Sequence, residues 1–116
     1  MKTIENNKLI AEFLSVKIHP CETIENFKFL PMEERGLYNG YFIDELNYHE
    51  DWNWLMEVVE KIESLGYRIE IVKHICRIYL SNKETIIISE NTPKIEAVYN
   101  AVVEFIKWYN NQNKVS

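Results

Sequence analysis

Two segments of the chain place apolar residues at the spacing of amphipathic helices. In the first, one helical face carries the apolar side chains of Trp52, Leu55, Met56, Val59, Ile62 and Leu65. Glu50 and Asp51 precede this face, where acidic side chains suit the positive end of a helix dipole. Gly66 follows it, as a C-terminal cap requires. The pattern predicts a helix over 52–65.

The second helical pattern closes the chain. Thr92 is a good N-cap, and Pro93 suits the first helical position because its missing N–H has no partner there. One face then carries Ile95, Val98, Tyr99, Val102, Phe105, Ile106 and Tyr109. We predict a helix over 93–109.

Between these helices, three short runs favour β-strands. In the first run Tyr67, Ile69 and Ile71 alternate with Arg68, Glu70 and Val72. A second apolar run spans 75–80, and the third, 85–89, is rich in β-branched residues. The polar residues 81–84 read as a turn. We therefore predict an antiparallel meander over 67–89.

The N-terminal third of the chain is less regular. Asparagine is a favoured N-cap residue, so Asn6 and Asn7 suit the start of a helix. The apolar spacing after them predicts a helix over 7–15. Residues 16–36 are predicted to be irregular, with a short edge strand around 27–30 that Pro31 would end. β-Preferring residues follow the turn signal Asn39-Gly40 and predict a strand over 41–47.

These elements predict an α+β fold. Helices with one apolar face and a small, mostly antiparallel sheet must cover each other. The simplest arrangement stacks both long helices on one sheet face; an α/β/α sandwich results if the first helix covers the other face. The length of 116 residues and the 47% hydrophobic content suit a single globular domain over 1–116.

Composition excludes several classes of function. No apolar run approaches the ~18–20 residues of a membrane span, and the first residues lack the apolar stretch of a secretion signal. We therefore expect a cytoplasmic protein without a membrane partner. The net charge of -5 argues against nucleic-acid binding by bulk electrostatics. Two cysteines are too few for a disulfide framework, and free thiols are expected in the cytosol.

Two His-x-Cys pairs are the candidate metal ligands. His19 with Cys21, and His74 with Cys76, offer imidazole and thiolate, which suit zinc, and ligands two apart on a strand face the same way. Structural zinc sites usually use Cys-x-x-Cys knuckles, which are missing here, so we expect no metal and no cofactor. A catalytic thiol is equally disfavoured at Cys76, because burial in an apolar strand raises a thiol pKa.

Charge is concentrated in the middle of the chain. Residues 33–63 carry nine acidic and two basic residues, a net charge of -7. Glu57, Glu60 and Glu63 fall opposite the apolar stripe of the predicted helix, which is typical of a solvated face. An acidic surface can also dock on a basic groove and gain association rate by electrostatic steering.

Three stretches resemble a known family. Residues 46–63, residues 93–106 and the start Asn7-Lys-Leu-Ile-Ala-Glu-Phe are similar to the small phage and prophage proteins called phage ABA sandwich domains. The shared pattern is a tyrosine-led strand end, a tryptophan-containing helix, a short sheet and an alanine-containing closing helix. The resemblance implies a phage accessory protein with helices on both faces of a sheet; it implies no active-site residue.

The functional hypothesis is binding without catalysis. Such phage proteins often bind host machinery, so the resemblance implies an inhibitor of a host nucleic-acid-targeting defence effector, as anti-CRISPR proteins are. The expected partner is a host protein with a basic surface, such as an RNA-guided nuclease. The expected contact residues are Glu33, Glu34, Tyr38, Tyr41, Asp44, Glu45 and Trp54. A small hydrolase or nucleotide-binding enzyme and a self-associating structural module remain the alternatives, and the oligomeric state is open.

Overall fold

A computed structural model of the chain describes residues 2–19, 23, 25, 28, 40–80 and 84–114. Its elements are α1 (Lys2–Leu14), a 3-10 helix (Ile43–Glu45), α2 (Trp52–Ser64), β1 (Tyr67–Val72), β2 (Ile75–Leu80), β3 (Thr85–Glu90) and α3 (Lys94–Lys114). This composition confirms the α+β fold. The chain divides into two compact units, Met1–Asn47 and Tyr48–Ser116, and each is described by itself. The single domain over 1–116 stays a prediction.

In the first unit, α1 begins before the predicted helix. The predicted caps at Asn6 and Asn7 are wrong, because both residues lie inside α1. Asn7 is buried, and its side-chain amide donates a hydrogen bond to the Leu46 carbonyl at 3.1 Å. Asn7 therefore does not cap the helix: its side-chain amide has a hydrogen-bond partner and can be buried within the helix. The helix ends at Leu14, and the next residue, Ser15, takes a φ of 61°.

Residues 41–47 do not form the predicted strand. Tyr41 makes an isolated parallel bridge with Ile18, and the chain then turns into the 3-10 helix. Gly40 takes a φ of 133°, and a Cβ there would lie 2.8 Å from the Lys17 carbonyl oxygen. The Glu45 carboxylate accepts a hydrogen bond from the Phe42 N–H at 2.9 Å, which closes the turn. Local side-chain bonding therefore outweighs β-propensity here.

Most of the predicted irregular segment 16–36 lies outside the described residues. The edge strand proposed at Phe27, Phe29 and Leu30 falls there. Glu25 and Lys28, which are described, have helical backbone.

In the second unit, α2 follows its prediction closely. Asp51 is the N-cap, and its carboxylate accepts a hydrogen bond from the Asn53 N–H at 2.8 Å. The buried face consists of Leu55, Val58, Val59 and Ile62. The prediction was wrong for Trp52, which is 38% exposed: it is the first residue of the helix, and the buried face begins only at Leu55. Gly66 follows the helix with a φ of 99°.

The three predicted strands are confirmed as one antiparallel sheet in the order β1-β2-β3. Ile69 pairs with Ile78, which pairs with Ile87, so one apolar row crosses all three strands. The register shifts by one residue after Ile78 in the β2–β3 pair. Lys73 and His74 form the β1–β2 turn, with Lys73 at a φ of 55°.

Both long helices of this unit cover one sheet face. α3 packs on β2 and β3, and α2 packs on β1 and on α3. The core contains the fully buried Phe105, whose ring meets Tyr67 of β1 edge-on at a centroid distance of 4.8 Å. This arrangement is the simpler of the two predicted. The α/β/α alternative needs a helix on the other face, and among its described residues this unit has none.

Candidate binding surfaces

The predicted contact residues are divided by the structure. Glu33, Glu34 and Tyr38 lie outside the described residues. Tyr41, Asp44 and Glu45 belong to the first unit, and Trp54 belongs to the second. The structure brings Tyr41, Asp44 and Glu45 together in one short turn, which we call the acidic turn (residues 41–45).

The acidic turn is exposed yet held by backbone hydrogen bonds. Tyr41 is 47% exposed, and Asp44 and Glu45 are exposed as well. The Tyr41 N–H donates to the Lys17 carbonyl at 2.9 Å, and the His19 N–H donates to the Tyr41 carbonyl at 2.8 Å. Buried Ile43 anchors the turn, and α1 packs against the 3-10 helix. The acidic turn is thus a polar surface with one exposed aromatic ring, and contacts within the first unit hold its backbone in place.

Trp54 is less available than the sequence suggested. It is half-buried, and its ring meets that of buried Tyr48 edge-on at 5.1 Å. Trp52 is the more exposed of the two indoles on α2. The helix therefore presents Trp52, rather than Trp54, as its larger apolar surface.

The outer side of α2 forms a second acidic surface. Glu57, Glu60 and Glu63 are all exposed, opposite the buried stripe of the helix. Lys61 lies among them and is exposed too. This matches the solvated acidic face that the helical spacing predicts.

Of the candidate metal ligands, His74 and Cys76 do not share a face. His74 lies in the β1–β2 turn, and its Nε2 is 3.1 Å from a carboxylate oxygen of Glu90. Cys76 is fully buried on the sheet face that the helices cover. The expectation that residues two apart point the same way fails here because His74 precedes the strand. Cys21 falls among the undescribed residues, and within the described ranges no three His, Cys, Asp or Glu side chains are grouped to hold a metal.

The Cys76 thiol is unreactive because it is buried, as expected for a cysteine in an apolar strand. Burial raises the pKa of its thiol from 9.0 to about 12. A thiol of this pKa remains protonated at neutral pH, and the thiolate is the reactive nucleophile.

One surface was missed by the sequence reasoning: the uncovered face of the sheet. Alternate residues of the strands point away from the helices, and this face carries Arg68, Glu70, Val72, Ile75, Arg77, Tyr79, Thr85, Ile88 and Glu90. Val72 and Ile88 are 53% and 60% exposed. The alternation in residues 67–72 already contained the signal, since it separates Arg68 and Glu70 from the core-facing isoleucines.

No helix within the described part of the chain is both long and apolar enough to cross a membrane. Comparisons with protein-family models, with curated proteins and with solved structures find no match to this chain.

Proposed function

We propose that the protein acts by binding a host protein, without catalysis, and that the acidic turn is its contact surface. The observation that carries the proposal is the exposed Tyr41 beside the exposed carboxylates of Asp44 and Glu45. Tyrosine is enriched among the residues that dominate binding energy, and carboxylates steer a basic partner into the encounter.

The fixed backbone of the turn supports this role. A surface held in its bound shape loses less conformational entropy on binding. The hydrogen bonds to Lys17 and His19 and the Glu45-to-Phe42 bond supply that restraint. The carboxylate of Asp44 forms no such bond within the described residues and is available to a cationic side chain.

The finer assignment rests on the resemblance to phage ABA sandwich domains. We propose that the protein is a phage or prophage accessory protein that inhibits a host nucleic-acid-targeting defence effector. The basic groove of such an effector, as in an RNA-guided nuclease, is the kind of surface that an acidic turn would occupy.

The test is affinity capture from a host lysate with two matched variants. The double variant Asp44→Asn/Glu45→Gln removes two charges from the acidic turn, and Glu57→Gln/Glu60→Gln removes two charges from the outer side of α2. We expect the first variant to lose the partner captured by the wild-type protein, and the second to retain it.

Four outcomes would contradict the proposal. Equal capture by both variants would exclude the acidic turn, and loss with the α2 variant alone would move the contact to α2. Turnover of a small substrate by the purified protein, with no partner captured, would favour the hydrolase or nucleotide-binding alternative. A concentration-dependent change in molecular mass would favour self-association.

A further inference from the structure

Two arginines lie close together on the uncovered sheet face. Arg68 of β1 pairs with Tyr79 of β2, and Glu70 pairs with Arg77. Arg77 is therefore the diagonal neighbour of Arg68, and such positions lie roughly 7–8 Å apart in an antiparallel pair. Both guanidinium groups can reach one ligand placed beside Tyr79.

The two arginines are incompletely neutralised. Arg77 Nη1 lies 4.0 Å from a carboxylate oxygen of Glu70, and both side chains are about half exposed, at 49% and 48%. An ion pair of this length and exposure contributes little. Arg68 makes no ion pair or hydrogen bond within the described ranges. One positive charge thus remains without an opposite charge on this part of the face.

These residues line a shallow groove along the strands. One hollow of about 260 Å³ is lined by Arg68, Glu70, Arg77, Tyr79 and Thr85. The next, of about 180 Å³, shares Glu70 and Arg77 and adds the apolar side chains of Val72 and Ile75. We call the two hollows together the β1–β2 groove. It is cationic at one end and apolar at the other.

We propose that the β1–β2 groove binds an extended acidic peptide segment of a partner protein. Its carboxylate side chain contacts Arg68 and Arg77, and an apolar side chain two residues away packs over Val72 and Ile75. The spacing fits, because residues i and i+2 of an extended chain lie on one side, roughly 7 Å apart. Side chains on this sheet face repeat at the same spacing, because every second residue of each strand points to that face.

The charge of the groove, which is lined by Arg68, Arg77 and Glu70, and the size of the sheet face favour this occupant over two others. Nucleic-acid binding relies on several phosphate contacts, and the groove carries a net charge of about +1. A second copy of the chain could contact only the face of three six-residue strands, which measures roughly 300 Å². That is well below the ~800 Å² per partner of a stable interface.

The groove and the acidic turn are independent sites, and the groove does not rest on the proposed function. The groove would take an acidic segment, whereas the acidic turn would take a basic surface. Failure of the test below leaves the acidic turn untouched, and failure of the capture experiment leaves the groove untouched.

The test is an amide-resonance titration of the full chain, labelled with ¹⁵N. The probe is the peptide acetyl-Gly-Glu-Ser-Leu-Gly-amide, and its control replaces the Glu by Gln. We expect the Glu peptide to shift resonances of β1 and β2, and the Gln peptide to bind more weakly. The variant Arg68→Gln should weaken binding by about two- to fivefold, in line with the small energy of one exposed ion pair.

Matched variants keep the result interpretable. Arg68→Lys retains the charge and should lose less binding than Arg68→Gln, whereas Lys61→Gln on α2 should bind as the wild type does. Unchanged resonances outside β1 and β2 would show that each variant is folded. Equal binding of the two peptides, or shifts confined to other elements, would overturn the proposal. Tighter binding of adenosine monophosphate at the same resonances would also overturn it, in favour of a phosphate ligand.

Discussion

The two faces of the three-stranded sheet are built from the same strands but have opposite chemistry. The covered face presents Ile69, Ile78 and Ile87 in one row beneath the helices, together with buried Cys76. The uncovered face alternates with it and carries arginine, glutamate and tyrosine beside exposed Val72 and Ile88. Period-two alternation thus separates the residues that fold this unit from those available to a partner.

The difference also separates stability from recognition. A side chain on the covered face loses apolar contacts when it is truncated, whereas one on the other face already contacts water. Substitutions on the covered face should therefore change the free energy of unfolding, and those on the uncovered face should change binding.

The largest effect is expected at Phe105, the aromatic centre of the covered side. Its ring is fully buried against Tyr67, and its centroid lies 5.7 Å from the ring centroid of Tyr109. Phe105→Ala should lower the free energy of unfolding by about 3–5 kcal/mol in a urea titration. The exposed neighbour Glu104 is the matched control, and Glu104→Ala should cost less than ~0.5 kcal/mol. A cost below 1 kcal/mol for Phe105→Ala would break the comparison.

A second prediction uses the pH dependence of stability. Below pH 9 the Cys76 thiol is protonated in both the folded and the unfolded chain, so it adds no pH dependence. Between its unfolded pKa of 9.0 and its folded pKa of about 12, only the unfolded chain releases the proton. The free energy of unfolding should therefore fall as pH rises, by up to ~1.4 kcal/mol per pH unit.

Comparison with two cysteine variants isolates this contribution. Cys76→Ala should remove it from the pH profile, and Cys21→Ala should leave it in place. An identical profile for the wild type and Cys76→Ala would show that the thiol is not buried on the covered face.

A third and smaller effect is expected at the start of α2, one of the two covering helices. The Asp51 carboxylate accepts the Asn53 N–H at 2.8 Å, so Asp51→Ala leaves that donor without its cap. Thermal or urea unfolding should show a loss of about 1 kcal/mol. Asp51→Ser, which can cap in the same way, should recover most of it; equal losses in both variants would argue against the cap.

The smallest effect is expected on the uncovered face. Glu70→Gln removes the 4.0 Å ion pair with Arg77, whose two side chains are both about half exposed. Because solvent screens this pair, unfolding should change by less than ~0.5 kcal/mol. A loss above 1 kcal/mol would mean that the pair is structural.

The second unit was largely predictable from sequence because its patterns and its packing agree. The spacing of Leu55, Val59 and Ile62 marks the face of α2 that is buried, and the alternation of residues 67–72 marks the two faces of β1. The turn predicted over 81–84 falls mostly outside the described residues and stays a prediction. Local preference and tertiary burial point to the same structure in these elements.

The first unit was less predictable because side-chain hydrogen bonds, one long-range and one local, override the propensity of the backbone there. The sequence predicts Asn7 as an N-cap, yet it lies inside α1, where its side-chain amide donates a hydrogen bond to the Leu46 carbonyl, 39 residues away. Residues 41–47 read as a strand, yet the Glu45 carboxylate closes a turn at Phe42. The acidic turn could be predicted as a charged segment, but its shape could not. The β1–β2 groove required the strand register, which the sequence alone did not provide.

The most direct test of the two-face account is one paired measurement of unfolding free energy. Ile78 on the covered face is fully buried, and Ile88 on the uncovered face is 60% exposed, so Ile→Ala at each position makes the same chemical change within one sheet. We expect Ile78→Ala to cost about 2–5 kcal/mol and Ile88→Ala to cost less than ~0.5 kcal/mol. Equal costs would contradict the account, because they would show that the second face is also covered in solution.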